Sequence, residues 1–197
     1  MADCIGEPEG VGAAPCGTET DFGWAAFDTA IGRCAIVWGP RGIVGSQLPE
    51  PDDDALRRRL DRRFPGAIES SPSAAMRSVI DRIVALLDGR GGDLADVPLD
   101  MAGVDAFDAR VYAEALKIRP GETLTYGELA RRIGAPGAAR AVGQAMAQNR
   151  FAPIVPCHRV VAAGGRAGGF SANGGATTKL RMLAIEALAV DPQRRLF

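Results

Sequence analysis

The hydrophobic positions between residues 22 and 48 fall in short runs separated by glycine-containing turns. These runs, FGWAAFDTA, RCAIVW and RGIVGSQL, are rich in aromatic and β-branched residues and predict three short strands. The segment that follows, DDDALRRRLDRRF, predicts a short and highly charged helix.

The segment SPSAAMRSVIDRIVALLDGR gives the clearest helical pattern of the first half. Its apolar residues recur three or four positions apart and form one core-facing stripe: Met76, Val79, Ile80, Ile83, Val84 and Leu87. Ser71 is the predicted N-cap, Pro72 suits the first turn, and Gly89 is expected to end the helix. GGDLADVPLD then resembles a linker. The first half is therefore predicted to be a small α/β unit without a catalytic pattern.

The second half is predicted to be mainly helical. VDAFDARVYAEALKI is amphipathic, and RPGE is expected to form a turn. Thr125 and Glu128 have the spacing of a capping box at the start of YGELARRI, which Gly134 is expected to stop. GAARAVGQAMAQN follows as a second helix, with Arg140 in its first turns. Two short helices around a tight turn indicate a helix-turn-helix.

The net charge of −1 hides opposite charges in the two halves. Residues 1–100 carry 10 basic and 17 acidic side chains, whereas residues 101–197 carry 13 basic and 7 acidic ones. Between Glu128 and Glu186 there are eight Arg or Lys residues and no acidic residue. This stretch favours binding of a polyanion such as nucleic acid, although a solvated basic face would have the same composition.

Targeting and metal-binding patterns are weak. No run of eighteen apolar residues is present, so a helical membrane span is not expected. Residues 1–20 lack the features of a secretory signal and predict a mobile tail, so we expect a cytoplasmic, nucleoid-associated monomer. Cys4, Cys16, Cys34 and Cys157 include no CxxC pair, which favours reduced thiols over disulfides or zinc.

The segment IVPCHRVV contains Cys157 and the only histidine of the chain, His158. Neighbouring side chains point apart in a strand, but Pro156 favours a turn in which the two could converge, directly or through a water. A histidine base usually needs a third group to orient it. Glu186, on a mostly apolar helix surface, is the candidate. The alternatives are a buried structural cysteine and histidine and a solvated glutamate.

Together, TYGELARRIG, AARAVGQAMAQN, VPCHRVV and GGFSANGG resemble the methylated-DNA–protein-cysteine methyltransferases, the O6-alkylguanine-DNA alkyltransferases. The resemblance covers residues 107–188. It implies a ribonuclease-H-like α/β domain at residues 21–96 and a mainly α-helical, winged-helix-like domain with the helix-turn-helix at residues 97–190, between tails at 1–20 and 191–197. The implied function is DNA repair by irreversible transfer of the alkyl group to the protein's own cysteine, without a cofactor or metal.

The resemblance also implies catalytic roles residue by residue. Cys157 matches the acceptor thiolate, His158 the water-mediated base, and Glu186 the carboxylate that orients the histidine. Asn149 matches the residue that braces the active-site turn. The implied substrate is an O6-alkylguanine extruded from double-stranded DNA, which the helix-turn-helix approaches from the minor groove.

Further matches concern the DNA and the extruded base. Arg140 matches the arginine that takes the place of the extruded nucleotide, and Tyr126 the hydroxyl that binds guanine N3. Small residues that would permit a close approach to the DNA are Ala138, Ala139 and Gly143. The expected pocket residues are Tyr126, Met146, Val160, Phe170 and Ser171, with the backbone of Val160 and Ser171 reading the guanine edge.

Three departures from the family pattern are visible. Phe170 stands where better-known members have tyrosine, the loop between Ser171 and Lys179 is two residues longer than the commonest pattern, and Arg150 replaces a frequent proline. The first two bear on the range of alkyl groups accepted. The competing functions are a DNA lesion sensor that does not accept the alkyl group, against which Cys157 argues, and a cysteine hydrolase.

Overall fold

The computed structural model describes residues 22–190, so the two predicted tails, Cys4 and Cys16 lie outside the described part. The three predicted strands are present as β1 (Gly23–Thr29), β2 (Gly32–Gly39) and β3 (Gly42–Gln47). They pair antiparallel, and a short strand β4 (Ile68–Glu69), which the hydrophobic pattern did not predict, pairs parallel with β1. The resulting sheet has the order β3-β2-β1-β4.

Two helices accompany this sheet. Helix α1 (Asp53–Arg63) begins at Asp52, whose side chain accepts a hydrogen bond from the backbone N–H of Ala55. Helix α2 (Ala74–Leu87) ends as predicted, with Gly89 in the left-handed region at φ 72°. Its predicted start was wrong: the N-cap is Ser73, and both Ser71 and Pro72 precede the helix. Several serines lie in this segment, and only the tertiary path of the chain selects the one whose hydroxyl reaches the free N–H groups.

The second half contains the predicted helices. Helices α3 (Ala106–Ala115), α4 (Tyr126–Arg132) and α5 (Ala139–Gln148) pack against one another. The capping box between Thr125 and Glu128 is present, and α4 ends before Gly134, at φ 71°. Two strands, β5 (Leu124–Thr125) and β6 (Val160–Val161), pair parallel, and helix α6 (Gly175–Val190) completes this half.

The two halves share one hydrophobic core. The largest cluster of buried residues contains members of β2, α2, α3, α5 and α6. Strand β3 also contacts the segment before Cys157: Ser46 donates hydrogen bonds from its backbone N–H to the Arg150 carbonyl at 2.7 Å and from its hydroxyl to the Ala152 carbonyl at 2.6 Å. Gly45 permits this approach, since a Cβ there would lie 3.0 Å from the Arg150 carbonyl oxygen and 2.2 Å from the Phe64 ring. The first half thus supports the region around Cys157.

None of the helices within residues 22–190 is both long enough and apolar enough to cross a membrane.

Candidate active site

Cys157 begins a single turn of 3₁₀ helix, Cys157–Arg159, directly after Pro156. The predicted turn is therefore present, and all three of its residues are buried. Asn149, at the end of α5, braces the approach to this turn. Its amide donates to the Val155 carbonyl at 2.8 Å, while its side-chain oxygen accepts from the N–H of Phe151 at 2.9 Å.

Glu186 of α6 is buried and holds the histidine, as expected from its apolar surroundings. His158 Nε2 lies 2.8 Å from Glu186 Oε1. Because an ionised carboxylate only accepts hydrogen bonds, Nε2 carries the proton and the Nδ1 atom of the neutral ring keeps its lone pair. Nδ1 is buried without a hydrogen-bond partner among the described residues. It is the basic nitrogen of the site.

A cationic side chain, Arg159, shares the same carboxylate. Its Nε lies 3.1 and 3.0 Å from the two Glu186 oxygens, its Nη2 lies 2.7 Å from Oε1, and its Nη1 donates to the Ile118 carbonyl at 2.6 Å. The backbone N–H of Gly121, in the predicted RPGE turn, also donates to Glu186 at 3.3 Å. Gly121 has a φ of 81°, which disfavours other residues there.

These contacts determine the charge states of the pair. Burial alone would raise the pKa of Glu186, but hydrogen bonds from His158 and Arg159 lower it to about 2. Burial lowers the pKa of His158, against the opposing effect of Glu186. The site at neutral pH therefore contains a carboxylate, a guanidinium and a neutral imidazole.

Burial also raises the pKa of the Cys157 thiol, so the resting sulfur is protonated. Several groups oppose this effect: a hydrogen bond from Asn149, the charge of Lys179, and the backbone N–H groups of Cys157 and His158. Cys157 is thus held as a thiol among groups that would stabilise a thiolate.

Lys179 of α6 is fully buried. Its Nζ donates to the Val160 carbonyl at 2.6 Å and lies 3.5 Å from both the Tyr126 hydroxyl and the Gly169 carbonyl. It also lies over the rings of Tyr126 and Phe170. One ammonium group therefore connects the cysteine turn, the start of α4 and the loop before α6.

An open cleft of about 500 Å³ leads to Cys157. This volume is within the range of small-molecule binding pockets. The predicted residues that line it are Tyr126, Ala139, Arg140, Gly143, Met146, Phe170, Ser171 and Cys157. Arg140 lies exposed in the first turn of α5, at the mouth of this cleft.

Two of the residues predicted to line the pocket or to contact the DNA do not line the cleft. Val160 is buried in β6 and its carbonyl accepts the hydrogen bond from Lys179, while Ala138 is the N-cap of α5. Sequence reasoning also assigned no role to Arg159 or Lys179. The one available signal for Arg159 was its position within the VPCHRVV motif. Lys179 lies four residues beyond the GGFSANGG motif, and no local pattern there predicted its burial.

The first half also supplies two side chains near Cys157 that sequence reasoning did not single out. Arg59 and Arg63 of α1 line a narrow cavity that reaches Cys157. Their contribution could not be predicted because nothing in the local charge pattern of α1 separates them from the exposed arginines beside them.

The comparisons with known proteins agree with this geometry. Residues 106–188 match the family described as 6-O-methylguanine DNA methyltransferase, DNA binding domain. The methylated-DNA–protein-cysteine methyltransferase of Methanothermobacter thermautotrophicus is 37% identical over 158 residues, which are 80% of this chain and 81% of that protein.

The bifunctional transcriptional activator/DNA repair enzyme Ada of Escherichia coli is 36% identical over a stretch that covers 83% of this chain and 45% of the Ada chain. The chain spans about half the length of the two Ada relatives that it matches. Among solved structures, Mycobacterium tuberculosis OGT in complex with DNA superposes with a TM-score of 0.69 at 33% identity, covering 85% of this chain and 94% of that one.

Proposed function

The chain belongs to the family of methylated-DNA–protein-cysteine methyltransferases, and from this premise we propose that it repairs DNA by accepting the alkyl group of O6-alkylguanine on its own Cys157. The observation that carries the proposal is the position of Cys157 in a pocket-sized cleft beside a buried His158–Glu186 pair. Each protein molecule acts once, because the thioether that forms is stable.

The reaction first requires that the Cys157 thiol lose its proton. We assign its acceptor as His158 Nδ1, directly or through a water, because Nε2 is committed to Glu186. Glu186 stabilises the imidazolium that forms, and Arg159 keeps Glu186 ionised and in place. The neighbouring Lys179 charge favours the thiolate as it develops.

The transfer itself is a displacement at carbon. The Cys157 sulfur forms a bond to the alkyl carbon while the carbon–O6 bond breaks, and the electron pair of that bond passes to the guanine. The Tyr126 hydroxyl, which lines the cleft, is assigned to donate a hydrogen bond to guanine N3, so that guanine leaves as a neutral base. The proton lost by the thiol balances the proton gained by the guanine.

The alkylated base must leave the duplex before it can reach Cys157. Unstacking a base costs about a few kcal/mol, which is offset by contacts in the pocket and by a side chain that fills the gap. Arg140 is assigned to that gap because it is exposed at the mouth of the cleft. The small residues Ala139 and Gly143 on the same helix permit close approach to the minor groove.

The finer fold assignment is part of the proposal. The order β3-β2-β1-β4, with two antiparallel pairs and a parallel β4, supports a ribonuclease-H-like unit at residues 21–96. The short β5–β6 pair beside α3, α4 and α5 supports a winged-helix-like unit at residues 97–190.

The test uses an oligonucleotide duplex with one O6-methylguanine. After incubation, we expect the tryptic peptide containing Cys157 to gain one methyl group. The amount of methylated peptide should equal the amount of lesion repaired, because each protein molecule reacts once. An unmodified Cys157 in a protein that binds the lesion would indicate a non-transferring sensor instead. Repeated hydrolysis of an ester or peptide without methyl transfer would indicate a cysteine hydrolase.

Arg140→Ala is expected to slow repair of the duplex about tenfold or more. This corresponds to about 1.4 kcal/mol, the stabilisation lost when no side chain fills the gap left by the extruded base. Its reaction with free O6-benzylguanine should stay close to that of the unchanged protein, because a free base needs no extrusion. Arg77→Ala, at an exposed arginine of α2, is the matched control. Equal losses on both substrates would remove Arg140 from the extrusion step.

A further inference from the structure

A second, smaller cavity lies beside Cys157, next to helix α1. It has a volume of about 30 Å³, and Cys157, Phe170 and Ser171 line both this cavity and the larger cleft. A water molecule needs roughly 10–15 Å³ measured in this way. The cavity is therefore large enough for a small polar group attached to the carbon that the Cys157 sulfur attacks.

The part of this cavity that is lined by helix α1 is cationic. It contains Arg59 and Arg63, one helical turn apart on α1, and the Gln47 side chain at the end of β3. Arg63 Nη1 donates to Gln47 Oε1 at 3.0 Å, and Gln47 Nε2 donates to Glu50 Oε1 at 2.9 Å.

The local cations outnumber the acids. Glu50 is the carboxylate nearest to these two arginines, and its Oε1 forms an ion pair with Arg59 Nε at 3.9 Å, a distance too long for a hydrogen bond; the Arg59 side chain is 39% exposed. Arg59 Nε itself is buried and has no hydrogen-bond partner among the described residues. Arg150, which does not line the cavity, adds a third positive charge nearby; it donates to the backbone carbonyls of Asp100 and Ala102 and also interacts with the Asp100 carboxylate.

The electrostatics of Arg63 agree with an excess of positive charge. Its pKa is lowered by burial and then by the charges of Arg59 and Arg150. By contrast, the exposed Arg57 of the same helix has a raised pKa because it pairs with Glu69. An anion that entered the cavity would relieve the repulsion at Arg63.

We propose that Arg59 and Arg63 make this protein selective for O6-alkyl groups that end in a carboxylate, of which carboxymethyl is the smallest. This inference rests on the proposed function and specifies its substrate class. The guanine would occupy the larger cleft, the carbon bonded to O6 would face the Cys157 sulfur, and the carboxylate would extend into the small cavity toward the two guanidinium groups.

The chemistry of the transfer is unchanged by the carboxylate. The Cys157 sulfur bonds to the methylene carbon, the bond from that carbon to O6 breaks with its electron pair going to guanine, and the product is S-carboxymethylcysteine. A charge-assisted hydrogen bond to the carboxylate stabilises the bound adduct and the transition state. A methyl group does not extend that far, so its transfer does not depend on the arginines.

The test compares single-turnover transfer rates from duplexes that carry O6-methylguanine, O6-carboxymethylguanine or the uncharged, equally large O6-carbamoylmethylguanine. Arg59→Gln and Arg63→Gln should each lower the carboxymethyl-to-methyl rate ratio about tenfold, the loss expected for one charge-assisted hydrogen bond. The carbamoylmethyl-to-methyl ratio should not change. Arg59→Lys, which keeps the charge, should restore most of the carboxymethyl rate.

Arg62→Gln is the matched control, because Arg62 is an exposed arginine of the same helix. Equal losses on all three substrates, or an unchanged carboxymethyl-to-methyl ratio in both variants, would overturn the inference while leaving the proposed function intact, since methyl transfer to Cys157 is measured in the same series. If the unchanged protein transfers neither group, the proposed function fails, and the inference fails with it.

Discussion

Replacing Cys157 with serine is expected to abolish alkyl transfer while leaving the binding of alkylated DNA unchanged. Serine keeps the size of the side chain, but its hydroxyl has a far higher pKa than a thiol and is a much weaker nucleophile. Loss of a nucleophile that acts with its base as a unit lowers the rate by about 10⁴-fold or more. Mass spectrometry of the Cys157 peptide and a binding titration with an O6-methylguanine duplex measure the two effects.

Cys34→Ala is the control for the first prediction. Cys34 is the other cysteine within residues 22–190, and burial raises the pKa of its thiol to about 12. It lies in β2, outside the residues that line the cleft. Its substitution should leave the methyl transfer rate unchanged. Methyl transfer by Cys157→Ser at the normal rate, or a methyl group found on Cys34, would contradict the assigned acceptor.

Glu186→Gln is expected to lower both the transfer rate and the free energy of unfolding. Glutamine has no charge, so the buried Arg159 guanidinium would lose its counterion and His158 would keep only a neutral amide oxygen in place of the carboxylate. Removing one partner of a buried ion pair costs about 3–5 kcal/mol. Denaturant unfolding should show this loss, and single-turnover kinetics under conditions where the variant remains folded should show the slower transfer.

The acid sensitivity of the protein provides a second measurement of the same carboxylate. The pKa of Glu186 is lowered by folding, from an ordinary value of 4.5 to about 2. Its contribution to stability is therefore complete above about pH 4.5 and is lost as the pH falls toward 2. Glu186→Gln should reduce the dependence of stability on pH in this window. Glu69→Gln, at an exposed ion pair with Arg57, should leave it close to that of the unchanged protein.

Much of the local structure was predictable because it depends on neighbours in the chain. The capping box of Thr125 and Glu128, the glycine that ends α4, and Arg140 in the first turn of α5 all follow from interactions within one or two helical turns. The exception among the helix starts is α2, where Ser73 rather than Ser71 caps the helix. Strand β4 has only two residues, too few for a hydrophobic pattern to predict.

The candidate site was predictable in part. Cys157, His158 and Glu186 were proposed from the PCHRV motif and from a carboxylate on an apolar helix, and the contact between His158 and Glu186 is present across 28 residues of sequence. Arg159 was missed as the second partner of Glu186, because a charged residue beside an apolar run usually lies in water. Its burial becomes favourable only where Glu186 and the Ile118 carbonyl meet it.

The sequence by itself determined the two short helices α4 and α5 around a tight turn, the alternation of elements and the Cys157–His158 pair proposed to react, because each depends on short-range periodicity or on a contiguous motif. Only the tertiary structure decided which charges are buried together. It brings Arg59 and Arg63 of the first half to the same small cavity as Cys157, and it places Lys179 against the Val160 carbonyl. Contacts of this kind join residues that are distant in the chain, and their energies depend on burial and on partners that no local pattern contains.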